Sequence, residues 1–466
     1  MEHLPPKKGD LMNVLGIIAE YNPFHKGHAY QIETLRKETN ADYVIIAMSG
    51  NFVQRGAPAL MDKYSRTRMA LSCGADLVLE LPALYACASA EYFASGGVAL
   101  LESTGVVTHL GFGTETEDFG FLQEIADILC QEPEAFRDAL QQELKKGLSF
   151  PAARAQALKT CFMEQHPTYA KPEEILASPN NILALEYLKA LSRRCSGIIP
   201  CPLLRRGQSY HDTAPGQTFS SASAIRARIA ETNSLSENII PDAESKAGCP
   251  HNPGRLELLR RRILPDLDTS MPKAASDILL AYPHPFLQEN DFSLLLHYKL
   301  LTESSEQLSS YADSSPDLAR RMKHESGAFL SWSSFCSHLK SKNFTYTRLS
   351  RVFLHAILNI YGEDYQTFPQ PSYLRALGFR KEAVPLLSAI KAKGSLPFIT
   401  SPASLWDGKS SSTSLEYLPL PHRFTASPTQ RLFSLDLTAS DLYRIGLTAR
   451  GDNSLQNDFK QPLILL

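Results

Sequence analysis

The 466-residue sequence lacks several features, and each absence excludes a class of protein or of site. No run of apolar residues approaches the roughly 18 that a membrane-spanning helix needs, and the first residues do not resemble a signal peptide. Eight cysteines are scattered without a Cys-x-x-Cys pair, which favours reduced thiols over a disulfide framework or a zinc site. The formal net charge of −2 provides no overall attraction to nucleic acid. We therefore expect a cytoplasmic protein without a membrane partner, in which any nucleic acid would bind a local basic patch.

Short β-branched runs recur through the first 230 residues. The runs are NVLGIIAEY, DYVIIAM, DLVLELP, VVTHLGFG and GIIPCPLLR, and segments 64–73 and 90–101 between them have the pattern of amphipathic helices. This alternation predicts an α/β fold with a doubly wound parallel sheet. In such sheets, ligands lie beyond the carboxyl ends of the strands.

Helical patterns replace the strands beyond about residue 235. They cover segments 256–263, 272–280, 292–301, 317–322, 329–339 and 347–359. The sequence therefore predicts an α/β domain over residues 1–235, a mainly helical region over 236–396 and a mixed C-terminal tail over 397–466.

One short motif indicates a phosphate site. The stretch GIIAEYNPFHKGHAYQI, residues 16–32, predicts a strand, a turn and a helix whose first turn holds His25, Gly27 and His28. Imidazoles beside the unpaired N–H groups and the positive dipole end of a helix suit a polyphosphate, and Gly27 allows its close approach. In the alternative, one histidine caps the helix and the other packs against it.

Several motifs carry a family resemblance. HKGH at 25–28 resembles the HxGH signature of the HIGH nucleotidyltransferase superfamily, and SSASAIR at 220–226 resembles its ISSTxIR motif. SGNFVQRGAPALMDKYSRTRMAL, GADLVLELP, GFGTETED, SPNNILALEYLKAL and RRGQSYHD resemble, in this order, the bacterial tRNA(Met) cytidine acetate ligase family. The resemblance is dense over residues 14–240 and thinner towards the C-terminus, whereas residues 243–270 depart from the pattern.

This resemblance implies an ATP-dependent ligase. Such an enzyme activates acetate as acetyl-adenylate, releases pyrophosphate, and acetylates the N4 amine of the wobble cytidine of elongator tRNA(Met). ATP with Mg²⁺ is the implied cofactor, acetate and the tRNA are the implied partners, and His25 and His28 are the implied catalytic pair. The implied ATP-binding residues are Ile18, Ala19, Glu20, Tyr21, Asn22, Pro23, Phe24, His25, Lys26, Gly27, His28, Ala29, Tyr30, Gln31, Gly113, Asn181, Arg205, Arg206, Ser223 and Arg226.

Some of these assignments have structural alternatives. Gly113 could serve only a turn, and Asn181 could serve only to cap a helix after Ser-Pro. Arg205 and Arg206 could form a solvated charge pair. Because adjacent strand residues point to opposite faces, we expect only one of these arginines to enter the site directly from the strand, and Arg205 aligns better with the family position.

Segment 340–395 is the candidate RNA surface. It contains nine Lys and Arg residues against three acids, with Phe and Tyr interleaved, a composition typical of backbone-tracking surfaces. The candidate tRNA-binding residues are Lys340, Lys342, Arg348, Arg351, Arg375, Arg380 and Lys381. Alternatively, these charges belong to solvated helix faces.

Other assignments stay open at the level of sequence. In the loop SGNFVQRG, Gln54 and Arg55 face either the active site or only solvent. Two different functions also remain open: a small-molecule nucleotidyltransferase of the same superfamily, and a non-enzymatic RNA-binding protein with a relic nucleotide site. The intact pair of His25 and His28 argues against a relic site.

Overall fold

A computed structural model describes residues 12–148, 150–163, 172–205, 221–239, 257–258, 260–261, 264, 267–405 and 427–466. The strands are β1 (Val14–Ala19), β2 (Tyr43–Ser49), β3 (Phe52–Val53), β4 (Ala57–Pro58), β5 (Leu77–Leu81), β6 (His109–Thr114), β7 (Ile199–Leu204), β8 (Leu374–Phe379), β9 (Phe398–Ile399) and β10 (Ile464–Leu465). The helices are α1 (Lys26–Glu38), α2 (Lys63–Ser72), α3 (Ala83–Ala86), α4 (Ala90–Glu102), α5 (Phe119–Gln131), α6 (Glu134–Lys145), α7 (Phe150–Met163), α8 (Pro172–Ala177), α9 (Pro179–Arg193), α10 (Ala222–Ile239), α11 (Leu267–Ser270), α12 (Lys273–Leu280), α13 (Ser293–Thr302), α14 (Ser305–Ser310), α15 (Pro316–His324), α16 (Trp332–Leu339), α17 (Tyr346–Leu358), α18 (Asp364–Thr367), α19 (Val384–Lys393) and α20 (Pro428–Ala449).

One large sheet organises these elements. Its strands follow the order β10-β8-β5-β2-β1-β6-β7, and β9 pairs with β8. β1 pairs in parallel with β2 and β6, β2 pairs in parallel with β5, and β6 pairs in parallel with β7, which confirms the predicted parallel sheet. The chain extends the sheet from β1 in one direction through β2 and in the other through β6. Ligands are therefore expected beyond the carboxyl ends of β1 and its neighbours.

Apolar cores cover both faces of the sheet. In β1, Val14 and Ile18 face one core, whereas Leu15 and Ile17 face the other, as the two-residue period of a strand requires. Helices α4, α5 and α9 pack into the first core, and α1, α2 and α12 pack into the second. Because both faces are covered, the central strands are mostly apolar, and this is why the sequence reveals them.

The second half of the chain is mainly helical, as predicted. Helices α12, α13, α15, α16 and α17 correspond to five of the six predicted helical segments. Of the remaining segment, 256–263, the structure describes residues 257, 258, 260 and 261, and these are helical. Within the part of the chain that the structure describes, no helix is long and apolar enough to cross a membrane.

The C-terminal half also supplies strands that the sequence does not predict. β8 pairs antiparallel with β5, through a register shift between Val78 and Leu79, and β10 pairs in parallel with β8. The three segments with predicted boundaries at 235 and 396 therefore all contribute to one sheet.

A buried ionic cluster joins these segments. Lys63 Nζ on α2 lies 2.7 Å from Glu80 Oε1 on β5 and 2.7 Å from Asp458 Oδ2 beyond α20. Arg375 on β8 lies 2.8 Å from Glu80 Oε2 and 2.9 Å from Asp458 Oδ2. The prediction that Arg375 contacts tRNA is therefore wrong, because its side chain is only 3% exposed and is paired with two carboxylates.

Asp436 on α20 lies beside this cluster. Its Oδ1 accepts a hydrogen bond from Ala83 N at 2.7 Å, and the Tyr373 hydroxyl donates to its Oδ2. Burial raises the pKa of Asp436 to about 7, and the negative charge of Glu80 also raises it. The folded protein therefore holds a proton at Asp436 under conditions in which an exposed aspartate is ionised.

Replacing Lys63 with Met tests the ionic cluster. The variant removes a buried cation from Glu80 and Asp458, so we expect the free energy of unfolding, measured by urea denaturation, to fall by about 3 kcal/mol. Lys37→Met is the matched control, because Lys37 is 74% exposed and pairs with Glu33 on the same helix. The control should change by no more than about 0.5 kcal/mol. A Lys63→Met variant as stable as the control would contradict this account.

Asp436 generates a pH-dependent prediction. In the unfolded chain an aspartate loses its proton near pH 4, whereas the folded chain keeps it to about pH 7, so folding binds a proton between these values. The free energy of unfolding should therefore decline as pH rises through this window. Asp436→Asn removes this contribution, and its stability should decline less than that of the wild type. Parallel curves of stability against pH would show that Asp436 is ionised in the folded state.

Candidate active site

The chain leaves β1 through a turn that ends at the start of α1. Tyr21 adopts φ +48°, and the peptide bond between Asn22 and Pro23 is cis. Asn22 Oδ1 accepts a hydrogen bond from Leu60 N at 2.8 Å, which ties the turn to the segment before α2. The turn therefore sets the position of the first residues of α1 at the carboxyl edge of the sheet.

His25 and His28 are held by backbone hydrogen bonds at the start of α1. His25 Nδ1 accepts from Gly27 N at 3.0 Å, and His28 Nδ1 accepts from His25 N at 3.2 Å. Their rings stack with centroids 3.7 Å apart and planes inclined by 24°. Both rings therefore take part in capping α1, whereas the structural alternative expected only one to do so, and capping uses only their Nδ1 atoms.

Both imidazoles are neutral in the folded chain at neutral pH. Burial, together with the positive charges of Arg205 and Arg226, lowers the pKa of His25 to about 3. Burial, His25 and Arg205 likewise lower the pKa of His28 well below its usual value. A neutral imidazole whose Nδ1 accepts a hydrogen bond carries its proton on Nε2. From these bonds we infer that the stacked rings present two Nε2–H donors.

The SSASAIR motif meets this turn. Arg226 on α10 donates through Nη1 to Asn22 O at 2.6 Å and through Nη2 to Ser223 Oγ at 3.1 Å. Since the positive charge of Arg226 also lowers the pKa of His25, its guanidinium lies close to the histidines. The two motifs, about 200 residues apart in sequence, therefore belong to one site.

A second part of the site lies where β6 and β7 end. Arg205 donates to Asn180 Oδ1 at 2.9 Å, and its side chain lies so close to Gly113 that an added Cβ there would be 3.2 Å from Arg205 Cγ. Asn181 is buried, and its Oδ1 accepts from Glu115 N at 2.8 Å, whereas Ser178 caps α9. Asn180, which no sequence signal singles out, also donates to the Glu115 carboxylate.

The residues implied to bind ATP differ in exposure. Residues 21–25 are buried, whereas residues 26–31 are half-buried at the start of α1. Tyr21 and Phe24 belong to the second apolar core, so their side chains support the turn. Arg206 lies outside the described residues, so Arg205 alone of the predicted arginine pair has a described position.

Arg66 on α2 is a site-supporting residue that the sequence does not reveal. It is fully buried and donates to Glu20 O at 2.6 Å, Met61 O at 3.0 Å and Ser49 O at 3.1 Å, and also to Gly50 O. These hydrogen bonds hold the carboxyl ends of β1 and β2 next to each other. No sequence signal distinguishes Arg66 from the exposed arginine two residues later, because its role depends on carbonyl groups supplied by distant segments.

The candidate tRNA residues do not form one surface. Lys340 and Lys342 are exposed. In contrast, Arg348 donates to Asp313 O at 3.1 Å, and Arg351 pairs with the Asp313 carboxylate at 2.6 Å. The latter two arginines are half-buried and help to attach α17 to the loop before α15.

Arg380 and Lys381 lie elsewhere. Because β8 runs antiparallel to β5, its last residue, Phe379, lies opposite Leu77 at the amino end of β5. The two cations that follow β8 therefore lie at the sheet edge opposite to the histidines. They remain predicted RNA contacts, but on a different side of the sheet.

The described residues contain no group of three or more His, Cys, Asp or Glu side chains arranged to hold a metal ion. Carboxylates at this edge, such as Glu20 and Glu115, are instead engaged by Gln54 N and Asn180.

Comparisons with known proteins agree with this geometry. The sequence model of the HIGH Nucleotidyl Transferase family matches residues 12–458. The tRNA(Met) cytidine acetate ligase of Acetivibrio thermocellus is 38% identical over 397 residues, covering 83% of this chain and 88% of the relative. The ligase of the same name from Thermoanaerobacter sp. is 36% identical over 456 residues, covering 98% of this chain and 100% of the relative.

Solved structures show the same fold. The apo crystal structure of Thermotoga maritima TmcAL superposes with a TM-score of 0.80 at 30% identity, covering 98% of this chain and 100% of that one. The structure of that protein bound with alpha-thio ATP gives a TM-score of 0.78 at 31% identity, with the same coverage. The family resemblance predicted from the motifs is confirmed: this chain belongs to the tRNA(Met) cytidine acetate ligase family of HIGH nucleotidyl transferases.

Proposed function

We propose that this protein uses ATP to activate acetate as acetyl-adenylate and then acetylates the wobble cytidine of elongator tRNA(Met). The observation that carries the proposal is the stacked pair of histidines at the carboxyl edge of β1, near enough to Arg205 and Arg226 for the two positive charges to lower the pKa of His25. The relatives' shared name and the ATP analogue bound to the T. maritima protein support it.

The first step is nucleotidyl transfer. An acetate oxygen attacks the α-phosphorus of ATP, the bond to the β-phosphate bridging oxygen breaks, and pyrophosphate leaves with the electron pair. Negative charge builds on phosphoryl oxygens, so fixed donors lower the barrier. His25 and His28 donate N–H groups without bringing a charge, while Arg205 and Arg226 supply the positive charge. We assign no side chain as a nucleophile.

The second step is acyl transfer. The exocyclic amine of cytidine attacks the acetyl carbonyl, AMP leaves with the electron pair of the broken C–O bond, and the amine loses a proton. We propose that the tRNA reaches the acetyl-adenylate from the side of the helical region, where Lys340 and Lys342 are exposed. We also propose that the protein works in the cytoplasm, with its RNA substrate.

We expect Mg²⁺ to enter with ATP, because this ion usually keeps several waters and is bound largely through substrate phosphates. The described residues do not form a metal site by themselves, so we derive no catalytic step through the ion.

His28→Asn separates the capping role from the donor role. The Asn side chain can still accept the hydrogen bond from His25 N, but it lacks the donor at the Nε2 position. We expect acetate-dependent ATP–pyrophosphate exchange to fall by about 10²–10³, with a melting temperature within a few degrees of wild type. His28→Gln, whose amide nitrogen reaches further, should retain more exchange activity.

His324→Asn, at an exposed histidine, is the matched control and should exchange like the wild type. Normal exchange by His28→Asn would show that His28 only caps the helix.

Arg205→Lys tests the second part of the site. Lysine keeps the charge but loses the planar fork that Asn180 orients, so we expect the KM for ATP to rise about fivefold or more, a loss of about 1 kcal/mol. Arg193→Lys is the control, because Arg193 pairs with Glu91 at 2.7 Å on the outer face of α9. If both variants keep the wild-type KM for ATP, Arg205 is a solvated cation and not a nucleotide ligand.

A further inference from the structure

The hairpin formed by β3 and β4 presents two residues at its tip. Val53 pairs with Ala57, and Gly56 N donates to Val53 O at 2.9 Å, which closes a four-residue turn. Gln54 and Arg55 are the central residues of this turn. Gln54 is half-buried and Arg55 is exposed.

One side of the hairpin tip contacts the carboxyl edge of the large sheet. Gln54 N donates to Glu20 Oε1 at 2.8 Å, and Glu20 is the first residue after β1. The same residue begins the turn that carries the histidines, and its carbonyl is held by Arg66. The tip is therefore hydrogen-bonded directly to the turn that positions the two histidines of the proposed nucleotide site.

The other side of the tip contacts the helical region. Ser350 Oγ on α17 donates to Gly56 O at 2.8 Å and accepts from Trp332 Nε1 at 3.0 Å. Gly56 has φ +77°, and a Cβ added there would lie 2.4 Å from Arg351 N. Glycine is thus required both by the backbone conformation and by the close approach of α17.

The stem of the hairpin is rigid. Phe52 and Val53 are buried, and the Phe52 ring contacts Phe292 edge-on at 5.4 Å and Tyr443 at 6.2 Å. The packed stem fixes the backbone of the turn that carries Arg55, in the way that rigid elements position functional residues on short loops.

The hairpin forms a two-stranded sheet of its own and follows β2 in the chain. The histidines instead follow β1, and Gly113 and Arg205 lie on β6 and directly after β7, on the other side of β1 from β2. The side of β2 is also the side on which α17 contacts the carboxyl edge of the sheet, through the hydrogen bond from Ser350 to the hairpin. A substrate that reaches from the helical region to the acetyl-adenylate would pass the hairpin tip.

We propose that Arg55 binds a backbone phosphate next to the cytidine that receives the acetyl group and so positions this nucleotide for transfer. The inference rests on the proposed function. A guanidinium suits the contact because its planar fork binds phosphate oxygens in pairs, and the phosphate backbone supplies much of the affinity of proteins for nucleic acids. Arg55 is therefore a positioning residue for the second step and takes no part in the first.

Arg55→Ala tests this assignment with a tRNA(Met) transcript. Single-turnover acetylation, started with ATP and acetate, should slow by about tenfold or more, and Arg55→Lys should recover part of the loss. The slope of log binding constant against log salt should become shallower by about 0.7–0.9, the value of one phosphate contact. Acetate-dependent ATP–pyrophosphate exchange without tRNA should stay within about twofold of wild type.

Arg68→Ala is the matched control, since it removes an exposed arginine from α2. It should leave acetylation, exchange and the salt slope unchanged. Wild-type acetylation and slope in Arg55→Ala would overturn the proposal, and so would a parallel loss of exchange, which would place Arg55 in the adenylation machinery. If the wild-type protein shows no acetate-dependent exchange, the proposed function fails, whereas the salt slopes still decide whether Arg55 contacts the RNA.

Discussion

The arrangement of this protein depends on two buried cations that share two buried carboxylates. Lys63 and Arg375 come from opposite halves of the chain, and neither finds its full complement of partners without Glu80 and Asp458. Removing such charges from water costs several kcal/mol per ion, which only close pairing offsets. The cluster is therefore fully paired only when α2, β5, β8 and the segment after α20 are all in their native positions.

The cost of burying charge also affects the candidate active site. There the cations Arg205 and Arg226 lie near His25, and their positive charges act together with burial to lower its pKa. Under the proposed function, cations beside neutral donors suit a polyanion. The two clusters then differ because one is paired within the protein, whereas the other binds a charged substrate.

Much of the fold could be predicted from local sequence. The five strands and the histidine turn have short-range signatures, and the two short motifs that predict a site lie together in the structure. β8, with the sequence LRALGF, could not be predicted in this way, because it lies among helical patterns and its pairing with β5 is long-range. For the same reason Arg375 resembles a surface cation in sequence, although distant carboxylates bury it. Arg66 and Asn180 show the same limit at the site, since their partners are groups from other segments.

The order of the cluster along the chain has a consequence for synthesis on the ribosome. Asp458 follows Lys63 by 395 residues. At roughly 5–20 residues per second, it is made about 20–80 s later. For most of that interval the nascent α/β half contains Lys63 and Glu80 but neither Arg375 nor Asp458, so its second core must either stay partly hydrated near α2 or bury an incomplete set of charges. The final packing of the ATP-binding half is thus deferred until the last part of the chain has left the ribosome.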